Sequence, residues 1–221
     1  MTKQETAEKI RRVGIIPVVR ATSAEQARFA AEAVCAGGIP IVEVTMTVPG
    51  AIELIAELAK AAAAEVLIGA GTVLDARTAE RCLEAGAKFV VSPGFDQPTV
   101  ELVRRHNQLM IAGALTPTEV IGAWRAGSDF VKIFPCASMG GAKYIRALKA
   151  PLPQVPMIPT GGVNLETAAD LIRAGSDALG IGGELISPAA LASGNARQIT
   201  EAARQYAAIV ERTREEAIIR R

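Results

Sequence analysis

One short pattern occurs four times in this chain and restricts its possible folds more than any other feature. Each copy starts with alanine and glycine at the end of a predicted helix, passes through a short turn and enters an apolar run typical of a buried strand. The copies are Ala36–Glu43, Ala85–Ser92, Ala126–Lys132 and Ala174–Gly180. A unit repeated at intervals of roughly 20 to 50 residues indicates a repeating α/β architecture.

The segments between these copies complete a set of eight predicted strands. Each is a short, continuous apolar run, as expected for parallel strands that are covered by helices on both faces. The predicted strands are Ile15–Arg20, Ile41–Thr45, Val66–Gly69, Phe89–Ser92, Met110–Ala112, Phe130–Phe134, Met157–Pro159 and Ala178–Ile181.

Helical patterns lie between the strands, and two of them start with recognisable caps, at Ser23 and at Thr116-Pro117. The predicted helices are a lead-in before the first strand, then Ala24–Ala36, Ala51–Ala63, Ala76–Ala85, Thr99–His106, Pro117–Ala126, Gly141–Leu148, Leu165–Ala174 and a last helix over about Ala196–Glu216.

Eight consecutive β/α units predict a closed (β/α)8 TIM barrel of the α/β class, for which 221 residues suffice. A doubly wound open sheet is the alternative, and it is less favoured because no GxGxxG fingerprint follows the first strand. No linker or low-complexity segment interrupts the pattern. The prediction is therefore a single barrel domain over residues 1–221, with an N-terminal helical lead-in and a C-terminal helix.

The net charge and the cysteine content limit which binding partners and which cellular compartment are expected for this protein. The formal net charge of +1 gives no reason to expect nucleic acid or an anionic membrane as a partner. No apolar run approaches the roughly 18 residues of a membrane span, and no signal-peptide core follows the charged N-terminus. The three cysteines are widely spaced, which suits a reducing cytosol and argues against disulfides or structural zinc. The predicted location is cytoplasmic.

Lys132 is the most unusual residue of the predicted strands. It lies in the run Phe130–Phe134, which is otherwise aromatic and β-branched. Lysine is almost never fully buried unless something compensates it, and burial favours the neutral amine that attacks carbonyl groups. A strand-end lysine that extends its ammonium group to solvent is the alternative, and this stretch alone does not decide between them.

In a barrel, residues at the carboxyl ends of the strands line the catalytic face. Glycine pairs follow predicted strands 7 and 8, where such barrels commonly bind phosphate through backbone N–H groups; tight turns are the alternative role. The side chains and glycines at these ends are Arg20, Glu43, Thr45, Thr47, Gly71, Thr72, Ser92, Pro93, Gly113, Lys132, Phe134, Thr160, Gly161, Gly162, Gly182 and Gly183.

Residue types that are missing from this set narrow the chemistry further. The one histidine, His106, falls at a predicted helix end, so neither a Ser-His-Asp arrangement nor a catalytic metal site is expected. Cys136 has no histidine partner and is assigned to packing. What remains is an amine assisted by a carboxylate, which indicates Schiff-base catalysis without a cofactor.

Five motifs occur in an order and spacing that resemble one family over essentially the whole chain. They are Val42–Thr45, Gly69–Leu74, Ser92–Gly94, Val131–Pro135 and Pro159–Val163. Together they resemble the class I 2-keto-3-deoxy-6-phosphogluconate (KDPG) and 4-hydroxy-2-oxoglutarate aldolases. The resemblance implies a homotrimeric barrel that cleaves a small-molecule 2-keto-3-deoxy sugar acid to pyruvate and an aldehyde, glyceraldehyde 3-phosphate in the case of KDPG.

The resemblance also implies roles for individual residues. Lys132 would form the Schiff base and Glu43 would transfer protons, although a salt bridge to Lys132 or Arg20 is an alternative role for Glu43. Arg20 would bind an anionic group of the substrate. The remaining candidates are a pyruvate pocket of Thr72, Pro93, Phe134 and Thr160 and a phosphate site of Gly161, Gly162, Gly182 and Gly183.

Two positions depart from the family pattern and leave the substrate open. Thr47 stands where some members carry an arginine, and Glu184 stands where some carry a serine. A carboxylate beside a phosphate is repulsive, so the expectation is that Glu184 turns outward to solvent. Galactonate-type relatives tolerate an acid there, so 2-keto-3-deoxy-6-phosphogalactonate or 4-hydroxy-2-oxoglutarate are alternative substrates. Outside the family, a phosphate-binding barrel isomerase with Glu43 as base and a non-catalytic assembly subunit stay open.

Overall fold

The predicted (β/α)8 barrel is confirmed by a computed structural model that describes residues 1–63 and 65–219. Residues 64, 220 and 221 belong to the predicted single-domain range and lie outside the described residues. The eight strands are fully buried. They are β1 (Ile15–Val19), β2 (Ile41–Thr45), β3 (Leu67–Gly71), β4 (Phe89–Val91), β5 (Leu109–Ala114), β6 (Phe130–Ile133), β7 (Met157–Pro159) and β8 (Leu179–Ile181).

The strands are parallel, and each strand from β1 to β6 pairs with the next strand in sequence. β1 also pairs with β8, and a single bridge between Thr160 and Gly180 joins the β7 and β8 sides, so the sheet closes on itself. Because all eight carboxyl ends meet at one face, this register fixes which side chains share the catalytic end.

Ten helices surround the barrel in the described part of the chain. Serine, threonine or aspartate accepts a backbone N–H at the start of six of them, and Thr116 forms a complete capping box with Glu119. They are α1 (Lys3–Val13), α2 (Ala24–Ala36), α3 (Ala51–Ala61), α4 (Ala76–Glu84), α5 (Gln97–Arg105), α6 (Pro117–Ala126), α7 (Ala142–Lys149), α8 (Ala168–Arg173), α9 (Pro188–Ser193) and α10 (Ala196–Ile219).

Glycine ends the helix in each of the four repeated units, as the pattern predicts. Gly38, Gly86, Gly127 and Gly175 have φ of +91°, +102°, +97° and +98°. This left-handed conformation is open to glycine without steric cost, so the chain can reverse there and enter the next strand.

The lead-in helix α1 closes the amino-terminal end of the barrel. Its Arg11 guanidinium stacks 4.7 Å from the centre of the Phe130 ring, and its Lys3 pairs with Asp129 at 2.9 Å. With this end blocked, a substrate reaches the interior from the opposite, carboxyl-terminal face. No helix in residues 1–63 and 65–219 has the length and apolarity of a membrane span.

Two helices differ from the prediction near the glycine pairs. The helix expected from Leu165 begins only at Ala168, because the Asn164 side chain accepts the N–H groups of Glu166 and Thr167 and holds a turn there. Helix α9 was not predicted, although Ser187 caps it and Pro188 occupies its first turn.

Candidate active site

Lys132 lies on β6 with 3% of its surface exposed. The run of apolar neighbours that forms the strand also removes the lysine from water. Its Nζ lies 5.3 Å from the centre of the Phe134 ring, two residues further along the chain and on the same side of the strand. This burial contradicts the alternative of a lysine extended to solvent.

Glu43 lies on β2 and is the second ionisable group inside the barrel end, with 2% exposure. Burial raises the pKa of its carboxyl group, and the positive charges of Lys132 and Arg20 oppose this rise. Among the described residues its Oε1 has no hydrogen-bond partner. The result is a carboxyl group that tends to stay neutral and has an oxygen free for a ligand.

Seven of the predicted site residues line one cavity of about 220 Å³ at the carboxyl-terminal face. Arg20, just beyond β1, is exposed at this cavity, while Thr160 is buried beneath it. The full lining is Val18, Arg20, Phe134, Thr160, Gly161, Gly162, Val163, Gly180, Gly182, Gly183 and Glu184. The cavity thus joins strands β1, β6, β7 and β8 around the ring that adjoins Lys132.

The two glycine pairs differ in conformation. Gly161 and Gly162 have φ of +88° and +75°, so the turn itself requires them. Gly182 and Gly183 have no such φ, and a Cβ added to either would meet nothing within 4 Å. Neither packing nor turn geometry therefore requires glycine at these two positions after β8. Because they have no side chains, their backbone is accessible from the cavity.

Thr72 and Pro93 lie outside the lining of this cavity, at the neighbouring strand ends. Thr72 follows β3 with φ of +56°, an uncommon conformation for a threonine. Pro93 follows β4, where its backbone approaches Gly113, the register partner of Lys132 on β5. The structure brings both to the catalytic face, beside Glu43 and Lys132 rather than beside the glycine pairs.

Glu184 is exposed, in agreement with the expectation, yet it lines the same cavity as the glycine pairs. The carboxylate is therefore not removed from the site. Thr47, the other departure from the family pattern, lines a second cavity of about 510 Å³ together with Thr22 and Gln26. Arg20 borders both cavities.

Cys136 and His106 lie outside the lining of this cavity. Burial raises the pKa of the Cys136 thiol to about 11, and His106 caps the exposed end of α5. In residues 1–63 and 65–219 no group of three or more His, Cys, Asp or Glu side chains comes together.

Three lining residues were missed by the sequence reading, namely Val18, Val163 and Gly180. Val18 precedes Arg20 by two positions and Gly180 precedes Gly182 by two. Side chains two apart on a strand share a face, so this period identifies both once the strand ends are known. Val163 follows a glycine pair directly, which could have marked it as a lining residue. It lies in a loop, however, where side chains do not alternate between faces in a regular way.

The fold and the site define a class of protein, the (β/α)8 barrels with a buried lysine and a buried glutamate at the catalytic face. The model of the family "KDPG and KHG aldolase" matches residues 6–202, and the chain belongs to this family. A 2-dehydro-3-deoxy-phosphogluconate aldolase of Treponema pallidum is 38% identical over 204 residues, which cover 92% of this chain and 96% of the relative.

Two further relatives agree with this assignment. A KHG/KDPG aldolase of Escherichia coli is 35% identical over 202 residues, covering 90% of this chain and 94% of the relative. A crystal structure of the KDPG aldolase of Legionella pneumophila has a TM-score of 0.82 and 30% identity, covering 90% and 96% of the two chains. That structure contains pyruvate captured at low pH as a covalent carbinolamine intermediate.

Proposed function

We propose that this protein is a class I, Schiff-base aldolase that cleaves 2-keto-3-deoxy-6-phosphogluconate to pyruvate and glyceraldehyde 3-phosphate. The observation that carries the proposal is the buried amine of Lys132 near the buried carboxyl group of Glu43 at the open end of the barrel. Family membership favours this reading over a barrel isomerase or an assembly subunit.

Lys132 supplies the nucleophile. Its amine nitrogen attacks the C2 carbonyl of the keto acid to give a carbinolamine, and loss of the hydroxyl group as water gives an iminium ion. The iminium withdraws the electron pair of the C3–C4 bond once the C4 hydroxyl has lost its proton. The aldehyde then leaves, and protonation of the remaining enamine at C3 followed by hydrolysis releases pyruvate and the free amine.

Glu43 moves the protons of this cycle. Burial raises the pKa of its carboxyl group and so favours the protonated form, which gives its proton to the departing hydroxyl group of the carbinolamine. The new positive charge on the iminium then favours the carboxylate, which accepts the C4 hydroxyl proton. The same proton later goes to C3 of the enamine.

The remaining residues orient the substrate. Phe134 and Thr160, together with Thr72 and Pro93, are proposed to hold the pyruvate portion next to Lys132. Arg20, at the rim of the same cavity, has a planar guanidinium that suits bidentate binding of a carboxylate or phosphate.

The phosphate group is assigned to the glycine pairs. The support is the open backbone at Gly182 and Gly183, where no feature of the fold requires glycine. A side chain at either position would occupy space that the phosphate needs, and backbone N–H groups are the usual donors after strands 7 and 8 of a barrel.

Glu184 favours a second candidate, an aldolase for a keto acid without a phosphate. The carboxylate lines the cavity, and at an effective dielectric constant of about 20 it costs about 4 kcal/mol per unit charge at 4 Å from a phosphate. 4-Hydroxy-2-oxoglutarate, which has no phosphate, is therefore tested beside KDPG. The phosphogalactonate analogue is included as the alternative phosphorylated substrate.

The substrate test compares three keto acids at equal concentrations, with pyruvate release as the measurement. KDPG is expected to give the highest kcat/KM, and Lys132→Ala is expected to abolish cleavage of all three. That variant removes a polar side chain from a buried strand, so stability should be kept or increased. Turnover by Lys132→Ala above a small fraction of the wild-type rate would contradict the Schiff-base mechanism.

A homotrimer in the cytoplasm is the proposed state of the protein. Apolar side chains at neighbouring elements support self-association, since Leu74, Phe95 and Trp124 are 66%, 37% and 38% exposed. Phe95 reaches α6, which carries Trp124, because its ring lies 3.6 Å from where a Cβ of Gly122 would be. Light scattering tests the mass, and Trp124→Asp should dissociate the trimer if this surface is the contact.

A further inference from the structure

Glycines on the inner face of the barrel leave spaces that predicted site residues fill. A Cβ added to Gly71 on β3 would lie 2.1 Å from Oε1 of Glu43 and 2.6 Å from its Cδ and Cγ. A Cβ added to Gly180 would lie 2.2 Å from Oγ1 of Thr160. Real side-chain atoms do not approach this closely, so each glycine makes room for one particular neighbour.

The side chain of Glu43 occupies the space that the missing Cβ of Gly71 leaves. Its Oε1 has no hydrogen-bond partner among the described residues, so no hydrogen bond to those residues holds that oxygen in place. In the register of β2 and β3, Gly71 pairs with Thr45, two residues beyond Glu43 and on the same face. The carboxyl group therefore leans towards the open end of the barrel over the bare backbone of Gly71.

We propose that Gly71 is a positioning residue for the reaction, because it creates the space in which the Glu43 carboxyl group is held for proton transfer. The inference rests on the proposed function. A methyl group at position 71 has to displace the carboxyl group, since all three of its nearest contacts are Glu43 side-chain atoms. The backbone of Gly71 has no positive φ, so alanine is not strained there for conformational reasons.

Gly180 offers a matched comparison with a different expected effect. Its missing side chain makes room for Thr160, which is assigned to substrate binding, and not for a proton-transfer group. Alanine at position 180 is expected to raise KM more than it lowers kcat, whereas alanine at position 71 is expected to lower kcat. Two glycines in equally tight surroundings would then affect different kinetic parameters.

The test measures KDPG cleavage by Gly71→Ala, Glu43→Gln and the double variant, with borohydride trapping of pyruvate on each. Gly71→Ala is expected to lower kcat by about 10- to 100-fold, with KM nearly unchanged and Lys132 still trapped. If Gly71 acts only through Glu43, the double variant should be no slower than Glu43→Gln. Gly122→Ala, a helical glycine away from the cavity, is the control for the substitution itself and should have wild-type kinetics.

Several results would overturn the inference. Additive losses in the double variant would show that Gly71 contributes independently of Glu43, as a general structural residue does. Wild-type kcat in Gly71→Ala, or failure of that variant to fold, would also contradict it. Failure of the proposed function is a separate outcome, because the wild-type protein itself would then not be trapped by borohydride.

Discussion

The buried carboxyl group of Glu43 predicts a pH-dependent stability that needs no assumption about catalysis. Its pKa is raised above the ordinary value of 4.5, chiefly by burial. Below pH 4.5 both the folded and the unfolded chain hold this proton. As the pH rises further, the unfolded chain releases it while the folded chain keeps it. The free energy of unfolding therefore falls until the pH passes the folded-state pKa.

The size of the effect follows from the number of protons. One proton bound only by the folded state changes the free energy of unfolding by about 1.4 kcal/mol per pH unit. For a chain of this length, that corresponds to about 3–6 °C in Tm per pH unit. Glu43→Gln removes this titration. Its Tm relative to wild type should therefore rise with pH above 4.5, whatever constant cost the buried amide adds.

Thermal unfolding of both proteins from pH 4.5 to pH 8 measures this slope. Glu119→Gln is the control with the opposite sign. Backbone N–H groups of Thr116 and Leu115 lower the pKa of Glu119, so its stabilising effect is present above the unfolded-state pKa and is lost only at lower pH. Across this window its Tm difference from wild type should be constant. Parallel curves for Glu43→Gln and wild type would contradict a raised pKa of Glu43 in the folded protein.

Three further predictions concern substrate contacts and thiols. Arg20→Lys should raise KM by about 5- to 150-fold, because about 1–3 kcal/mol of charge-assisted hydrogen bonding is lost; an unchanged KM for every acidic substrate would place the anion site elsewhere. Glu184→Ser should leave the preference for phosphorylated substrate nearly unchanged, and a preference that appears only in the variant would identify an aldolase for an unphosphorylated keto acid. Burial raises the pKa of Cys82 and of Cys136 to about 11, so iodoacetamide at pH 8 should modify both at least about 100-fold more slowly in the native than in the unfolded protein.

The barrel was predictable because its signal is local and repeated. Each of the four Ala-Gly units encodes a helix end, a turn and a buried strand within about eight residues. Strand ends were less accurate. β3 was predicted to stop at Gly69 but continues to Gly71, since a glycine-rich stretch indicates a loop by composition while its pairing with Thr45 extends the strand.

The candidate site was partly predictable for the same reason. Strand ends can be predicted from sequence, so residues such as Lys132, Thr160 and Arg20 could be placed at the carboxyl-terminal face of the barrel from the sequence alone. How deeply each side chain is buried, and which cavity it lines, could not be predicted from the positions of the strand ends. Glu184 lines the cavity, and the Glu43 carboxyl group fills the space over Gly71. Both placements depend on packing between segments that are far apart in sequence.

Reduction with sodium borohydride in the presence of pyruvate tests the central claim most directly. Hydride converts an iminium between Lys132 and C2 of pyruvate into a stable secondary amine. We expect irreversible inactivation, with one reduced pyruvyl group per chain on the peptide that contains Lys132 and none in Lys132→Ala. An unmodified chain with full activity after this treatment, or a label that persists in Lys132→Ala, would contradict it.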